Sequence, residues 1–239
     1  TYNSHFLQGE LYRSFKRDDA LTGKWGNNVA DVEGGWHSFP WDCLLAGDNS
    51  VWWWTSWGVD YIPFNPDLSQ SLFGQWFFES LDECRTGPGK LLLEAGREHS
   101  PIAVLYSHRD LFASALYGEL GEDGGWAGGA RFNGTHKALI RALRDAGYQL
   151  THLTFDDVVE GRLSVEDHRV LVLPRASCIS EDMAEDLRDY VEAGGTLIVD
   201  GRAGLLSGQG RIRDARPLDD LLGVVSPAGM PALTAGTQT

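Results

Sequence analysis

Between residues 102 and 199 the sequence repeats one alternation: a short, largely apolar run, then a segment with helical spacing. The runs are 102–106, 150–155, 168–173 and 196–199. Over 135–146, Ala138, Leu139, Ala142 and Leu143 share one helical face, and Gly147 is placed to close the helix. Ser180 suits an N-cap because its hydroxyl can accept from an early amide, and Glu181, Asp182 and Glu185 favour the positive end of the helix dipole. Gly194 and Gly195 end that helix. Strands alternating with helices pair in parallel through right-handed crossovers that cover both faces. The expected fold is therefore α/β, a flavodoxin-like three-layer sandwich over 98–239.

The preceding residues differ in character. Eight of the nine tryptophans lie before residue 77, and the polar stretch 94–101 marks a junction. The expected units are 1–97 and 98–239. In the first, 38–47 reads as a short helix with Pro40 in its first turn and Gly47 at its stop. Residues 49–57, with Val51 and four tryptophans, read as a strand buried on both faces of a parallel sheet. Beyond a proline-bearing loop at 60–67, Phe73, Trp76, Phe77, Leu81 and Cys84 fall at helical spacing, and Gly87, Pro88 and Gly89 end that helix. Such a helix follows its strand as the last helix of a barrel would. The segment opens at Thr1 and looks like the end of something larger, while the tail 226–239 is weakly structured by composition.

Charge narrows the function. The chain carries 34 acidic and 20 basic side chains, a net −14, which repels phosphate backbones and argues against nucleic-acid binding. No run approaches the roughly 18–20 apolar residues of a membrane span, and the N-terminus lacks a basic-then-apolar leader. A soluble, cytoplasmic protein is expected. Cys43, Cys84 and Cys178 lie too far apart in sequence for a disulfide framework or a zinc pair, and read as buried thiols. No metal or cofactor is expected.

Several residues invite chemistry. Cys178 follows a strand, yet a nucleophile elbow needs flanking glycines and Cys178 has Ser177 and Ile179, so an inert thiol is expected. The glycines of 121–129 lack the Lys-Ser/Thr pair of a phosphate loop and read as a flexible or partner-contacting loop. Tyr106 to Asp110 lie at the carboxyl end of the first strand of the alternation, where open α/β sheets hold ligands, though hydrogen bonding of the strand end explains them more simply. Trp54 and Trp57, at the end of an aromatic strand, are the candidates for stacking on a sugar ring. Glycoside hydrolysis needs two carboxylates, and Glu10 and Glu33 are the weak candidates here, each more simply explained as a solvated surface group.

The stretch 41–57, with DCLLAGDNSVWWW inside it, resembles the last helix and strand of the catalytic barrel of family 42 glycoside hydrolases, and GPGKLLL at 87–93 resembles the connection leaving that barrel. PIAVLYS at 101–107, GYQ at 147–149, VLVLP at 170–174 and YVEAGGTLIVDG at 190–201 resemble that family's β-galactosidase trimerisation domain. The resemblance implies a retaining β-galactosidase with two catalytic glutamates, a middle domain of class I glutamine amidotransferase-like fold without its catalytic cysteine, and a homotrimer in which a neighbouring subunit helps wall the active site. It departs from the family in lacking an Asn-Glu pair, the early barrel, the zinc-binding cysteine cluster and the C-terminal β domain. The expectation is a fragment supplying barrel end and assembly domain, inactive alone. The alternative is a non-catalytic amidotransferase-like binding or assembly module.

Overall fold

In the computed structural model of the chain, residues 5–16, 20–26, 33–53, 63–95, 98–117, 130–200 and 202–226 are described. The chain divides into two compact units, Thr1–Glu98 and His99–Thr239.

The first unit runs α1 (His5–Phe15), β1 (Gly23–Gly26), α2 (Glu33–Leu45), β2 (Ser50–Trp53), α3 (Leu72–Arg85) and α4 (Gly87–Glu94). β1 and β2 pair in parallel, from Gly23 opposite Ser50 to Gly26 opposite Trp53, with α2 in the crossover between them. α2 packs on α3 around Trp36, Phe39, Cys43 and Phe77. Trp36 is fully buried, its ring 5.3 Å from that of Phe73, and burying each such aromatic side chain contributes about 1.5–3 kcal/mol. Ser71 caps α3 by accepting from the Gly74 amide at 3.0 Å. Gly74 is required there, since a Cβ would lie 2.0 Å from the Pro63 carbonyl oxygen.

Here the structure corrects the sequence reading in several places. α2 begins at Glu33, so Pro40 sits inside the helix and not in its first turn; burial of Trp36 outweighs the poor helix propensity of Gly34 and Gly35. Gly87, Pro88 and Gly89 open a further helix, α4, because Gly87 takes φ 51° and Pro88 suits a first turn. The described part of the Trp-rich strand is not buried on both faces, as Trp52 is 51% exposed. α1 and the glycine-flanked β1 carry no strong propensity signal and were not expected from the sequence.

The second unit runs β3 (Ile102–Leu105), α5 (His108–Leu116), α6 (Ala130–Asp145), β4 (Thr151–Leu153), α7 (Phe155–Val159), β5 (Val170–Leu173), α8 (Glu181–Glu192), β6 (Thr196–Val199) and α9 (Asp219–Leu222). Its sheet is parallel throughout, in the order β4-β3-β5-β6. Alternate residues take opposite faces. Ala103, Leu105, Leu153, Leu171 and Leu173 join Phe155 and Val158 of α7 and Met183, Ala184, Leu187 and Tyr190 of α8 in one core. On the other face lie Ile102, Val104, His152 and Val172, all buried, with His136 and Ile140 of α6. β6 completes the first face with Leu197 and Val199, while Ile198 on the second face is 51% exposed.

The expected strands β3, β4, β5 and β6 and the Ser180-capped helix are all present. Phe155 belongs to α7 and not to the preceding strand, because Thr154 and Asp157 form a capping box that turns the chain. α5 lies where the sequence reading places no helix. Ala138 and Ala142 are exposed on α6, whose buried stripe is His136 and Ile140, one turn apart.

Candidate functional site

All strands of a parallel sheet end on one edge, and α/β proteins hold ligands there. Each unit has such an edge.

In the first unit the residues after β1 and β2, 27–32 and 54–62, lie outside the described residues, and so therefore do Trp54 and Trp57. Glu33 opens α2, is exposed, and lies 3.7 Å from His37 Nε2. Glu10 is in α1, 1% exposed and paired with Arg13; the guanidinium offsets the several kcal/mol that a lone buried carboxylate would cost. The Ser14 hydroxyl donates to the Glu10 carbonyl at 2.8 Å. The two candidate carboxylates thus stand on different helices, one enclosed and one open.

A second buried ion pair anchors β1: Lys24 Nζ lies 2.9 Å from Asp48 Oδ2, both side chains almost wholly buried. Gly9 of α1 faces it, where a Cβ would come within 2.7 Å of the Ala46 Cβ and 3.0 Å of Lys24 Nζ. Burial pushes the neighbouring Cys43 thiol up to about 12, although Lys24 draws it down, and pushes Cys84 up to about 11. Thiols so protonated are poor nucleophiles near neutrality.

In the second unit Ser107, just after β3, caps α5 by accepting from the Asp110 amide at 3.1 Å. Asp110 turns towards the loop after β5, where its Oδ1 accepts from the Cys178 amide at 2.8 Å. Its Oδ2 is buried with no hydrogen-bond partner, and the residue is 2% exposed. Burial pushes this carboxyl up to about 7 against the opposing pull of Ser107, Ser177 and Cys178. Cys178 is itself buried, its thiol raised to about 12 by burial and then by Asp110 beside it, which suits an inert thiol. The Ser107 hydroxyl and one Asp110 carboxylate oxygen are thus spent on the strand end and the adjoining loop. Arg175, at the end of β5, takes φ 51°, a left-handed conformation costing about 1–2 kcal/mol, and donates its amide to Asp200 Oδ2 at 2.8 Å. On the α6 face, His136 Nε2 lies 3.2 Å from His152 Nε2 with the rings stacked, and burial lowers His136 to about 4.

Residues 149–233 match the family described as β-galactosidase trimerisation domain. The chain is similar to the β-galactosidases of glycoside hydrolase family 42. β-Galactosidase Bga of Halorubrum lacusprofundi is 26% identical over 132 residues, 54% of this chain and 17% of that protein. A solved β-galactosidase from the same haloarchaeon matches 91% of this chain and 32% of its own, with TM-score 0.68 and 18% identity. One from Bacillus circulans sp. alkalophilus matches 90% and 33%, with TM-score 0.69 and 17% identity. An exo-carrageenase of family 42 from Bacteroides ovatus shares the fold at 11% identity, TM-score 0.55, over 87% of this chain and 28% of that one. The chain therefore spans about a third of the length of these solved relatives and less of the curated one. At such identities the structures speak for the fold, and the resemblance read from the motifs holds.

Sequence reading missed the Lys24–Asp48 pair, the His136–His152 pair and the turn of Asp110 towards Cys178. The only local signal was Ser107 three residues before Asp110, an N-cap spacing. The remaining partners are 16 residues or more apart, and nothing in the sequence couples them.

Proposed function

We propose that this chain is part of a retaining β-galactosidase that hydrolyses terminal β-D-galactosides. In this reading 1–97 is the C-terminal part of a (β/α)8 barrel and 98–239 is a trimerisation domain with a flavodoxin-like, class I amidotransferase-like sandwich. The observation that carries it is the match of 149–233 to the trimerisation domain, preceded by a parallel β1–β2 pair joined by a helical crossover. Parallel sheets are stable only when covered on both faces, so two strands call for further barrel strands beside them. The order β4-β3-β5-β6 supports the flavodoxin-like reading, since it is the 2-1-3-4 part of that fold's strand order.

The active form is a cytoplasmic homotrimer without cofactor, acting on a β-galactoside that stacks on Trp54 and Trp57. Glu33 is the better placed of the two carboxylates, seven residues beyond the end of β1 at Gly26, because barrel chemistry sits at the carboxyl ends of strands. Glu10, inside a helix and held by Arg13, is the weaker one.

The test uses a longer protein containing these residues. It should cleave a chromogenic β-galactoside, release the β-anomer first as seen by proton NMR, and sediment as a trimer. The 239-residue chain alone should be inactive. α-Anomer release would overturn retention, and turnover by the chain alone, abolished by Glu33→Gln or Glu10→Gln, would overturn the fragment reading. Trimerisation without any glycosidase activity in the longer protein would favour a non-catalytic assembly module.

A further inference from the structure

Charge in the second unit is sorted into two places. Residues 202–216, after β6, carry four arginines and one aspartate, whereas α8 carries six acidic residues and one arginine. The outer face of α8 exposes Asp182, Glu185, Asp189 and Glu192 at successive turns. Its arginine, Arg188, is turned to Asp220 and the Pro217 carbonyl. Burial, and then the charges of Asp189, Glu185 and Asp182, raise the Asp186 carboxyl among them, as expected where like charges crowd one helix face.

The arginine-rich segment borders an apolar surface. Tyr117, at the end of α5, donates its hydroxyl to the Gly210 carbonyl at 2.8 Å, and Leu206 forms a bridge to Ile212, so α5 and the turn at 207–210 lie side by side. Arg109 of α5 reaches the same turn, its Nη1 3.1 Å from where a Cβ on Gly208 would stand. On the outside are Phe112 and Leu116, one turn apart on α5 and 66% and 81% exposed, with Ile212 at 46%. Arg109 and Arg211 are exposed beside them. Large apolar side chains edged by arginine are the composition of a protein interface, not of a solvated helix face.

We infer that this surface binds the acidic α8 face of a second copy of the chain. The charge pattern chooses the occupant. Copies carrying a net −14 repel one another at long range, so they associate only through a contact that joins unlike charges, and the arginine-edged surface and α8 supply one. The two patches differ, so the contact is heterologous and copies follow head to tail until the ring closes. Arg213, which bonds Glu181 and the Ile179 carbonyl within one copy, sets the two patches side by side, so that each copy turns the series of contacts as a small ring requires. The inference rests on the trimer proposed above and names the surfaces that meet in it.

Sedimentation equilibrium of the 239-residue chain tests it. The wild-type chain should be a trimer that dissociates several-fold more readily in about 0.5 M than in about 0.05 M salt. Arg109→Glu with Arg211→Glu should give monomers, and so should Glu185→Lys with Asp189→Lys on α8. The four changes together again set unlike charges opposite one another and should restore the trimer, which no folding defect would do. Phe112→Ser should raise the dissociation constant about tenfold or more, since aromatic anchors dominate such contacts. A trimer that survives either pair of reversals, or a fourfold variant that stays monomeric, would overturn the contact and leave the trimer standing. A wild-type chain that sediments as a monomer or a dimer would overturn both.

Discussion

The two units solve the same problem, covering parallel strands, with different materials. Among the described residues the second unit buries an apolar core of leucines, isoleucine, methionine and aromatics between its sheet and α7 and α8. The first gathers a smaller aromatic cluster around α2 and α3 and roots β1 in a buried ion pair. An apolar core degrades gradually when trimmed, because each lost contact is small and the cavity partly relaxes. A buried ion pair fails sharply, since removing one partner strands the other charge in a low-dielectric interior. The second unit thus rests on an extended apolar core, whereas the first rests on a small aromatic cluster and a few buried polar contacts.

The largest expected effect therefore lies in the first unit. Asp48→Ala should destabilise it by about 3–5 kcal/mol, seen as an earlier loss of tryptophan fluorescence in urea, because eight of nine tryptophans report on that unit. The double change Lys24→Met with Asp48→Leu should recover most of the loss. A loss in Asp48→Ala no greater than that in the double variant would break the contrast.

Next comes Leu171→Ala, at a fully buried position in β5, which should cost about 3–5 kcal/mol. Amide exchange in β3 and β5 should accelerate while the tryptophan transition stays in place. Movement of both together would mean the units unfold as one.

Acid separates the units in a subtler way. His136 is lowered in the fold from 6.5 to about 4, so its contribution is intact above 6.5 and is lost as pH falls towards 4. Asp110 is raised from 3.8 to about 7, so its contribution is complete below 3.8 and is lost as pH rises through 7. The two slopes oppose, worth at most about 3 kcal/mol for His136 and about 4 kcal/mol for Asp110 over their windows, and where the windows overlap, between pH 4 and 6.5, the second unit should show a nearly flat profile. Asp110→Asn should unmask a loss of stability on acidification across that window, and His136→Phe the reverse. Parallel profiles in both variants would show that neither group titrates as its burial requires.

Smaller effects test the helix ends. Thr154→Ala removes the capping box of α7, whose Thr154 hydroxyl accepts from the Asp157 amide at 3.1 Å, and should cost about 1 kcal/mol. Arg141→Ala, which breaks an exposed pair with Asp145 at 3.7 Å, should change stability by less than about 0.5 kcal/mol.

Legibility followed the range of the interactions. β3, β5, β6 and α8 could be read because their signals are local: short runs dominated by Val, Leu and Ile in the strands, a Ser cap and two stop glycines around the helix. β1 could not, because Gly23 and Lys24 look like a turn until Asp48, 24 residues on, supplies the partner that lets the lysine be buried. α6 was found but turned the wrong way, since two alanines at helical spacing weigh the same whether they face a sheet or water. Its true inner stripe includes His136, a residue whose burial depends on His152 lying 3.2 Å away on β4. At the candidate sites the run from Tyr106 to Asp110 was legible as the end of a strand, but the side to which Asp110 turned was not.

Taken alone, the sequence determined the alternation of strands and helices, the break near residue 98 and the likeness to family 42, because these rest on periodicity, composition and motif, all written along the chain. Tertiary structure alone decided the order of the strands, the ion pair under β1, the free oxygen of Asp110 and the stacked histidines. Each of these needs two segments, distant in sequence, to exclude water from a shared polar atom, and no one-dimensional pattern encodes which two will meet.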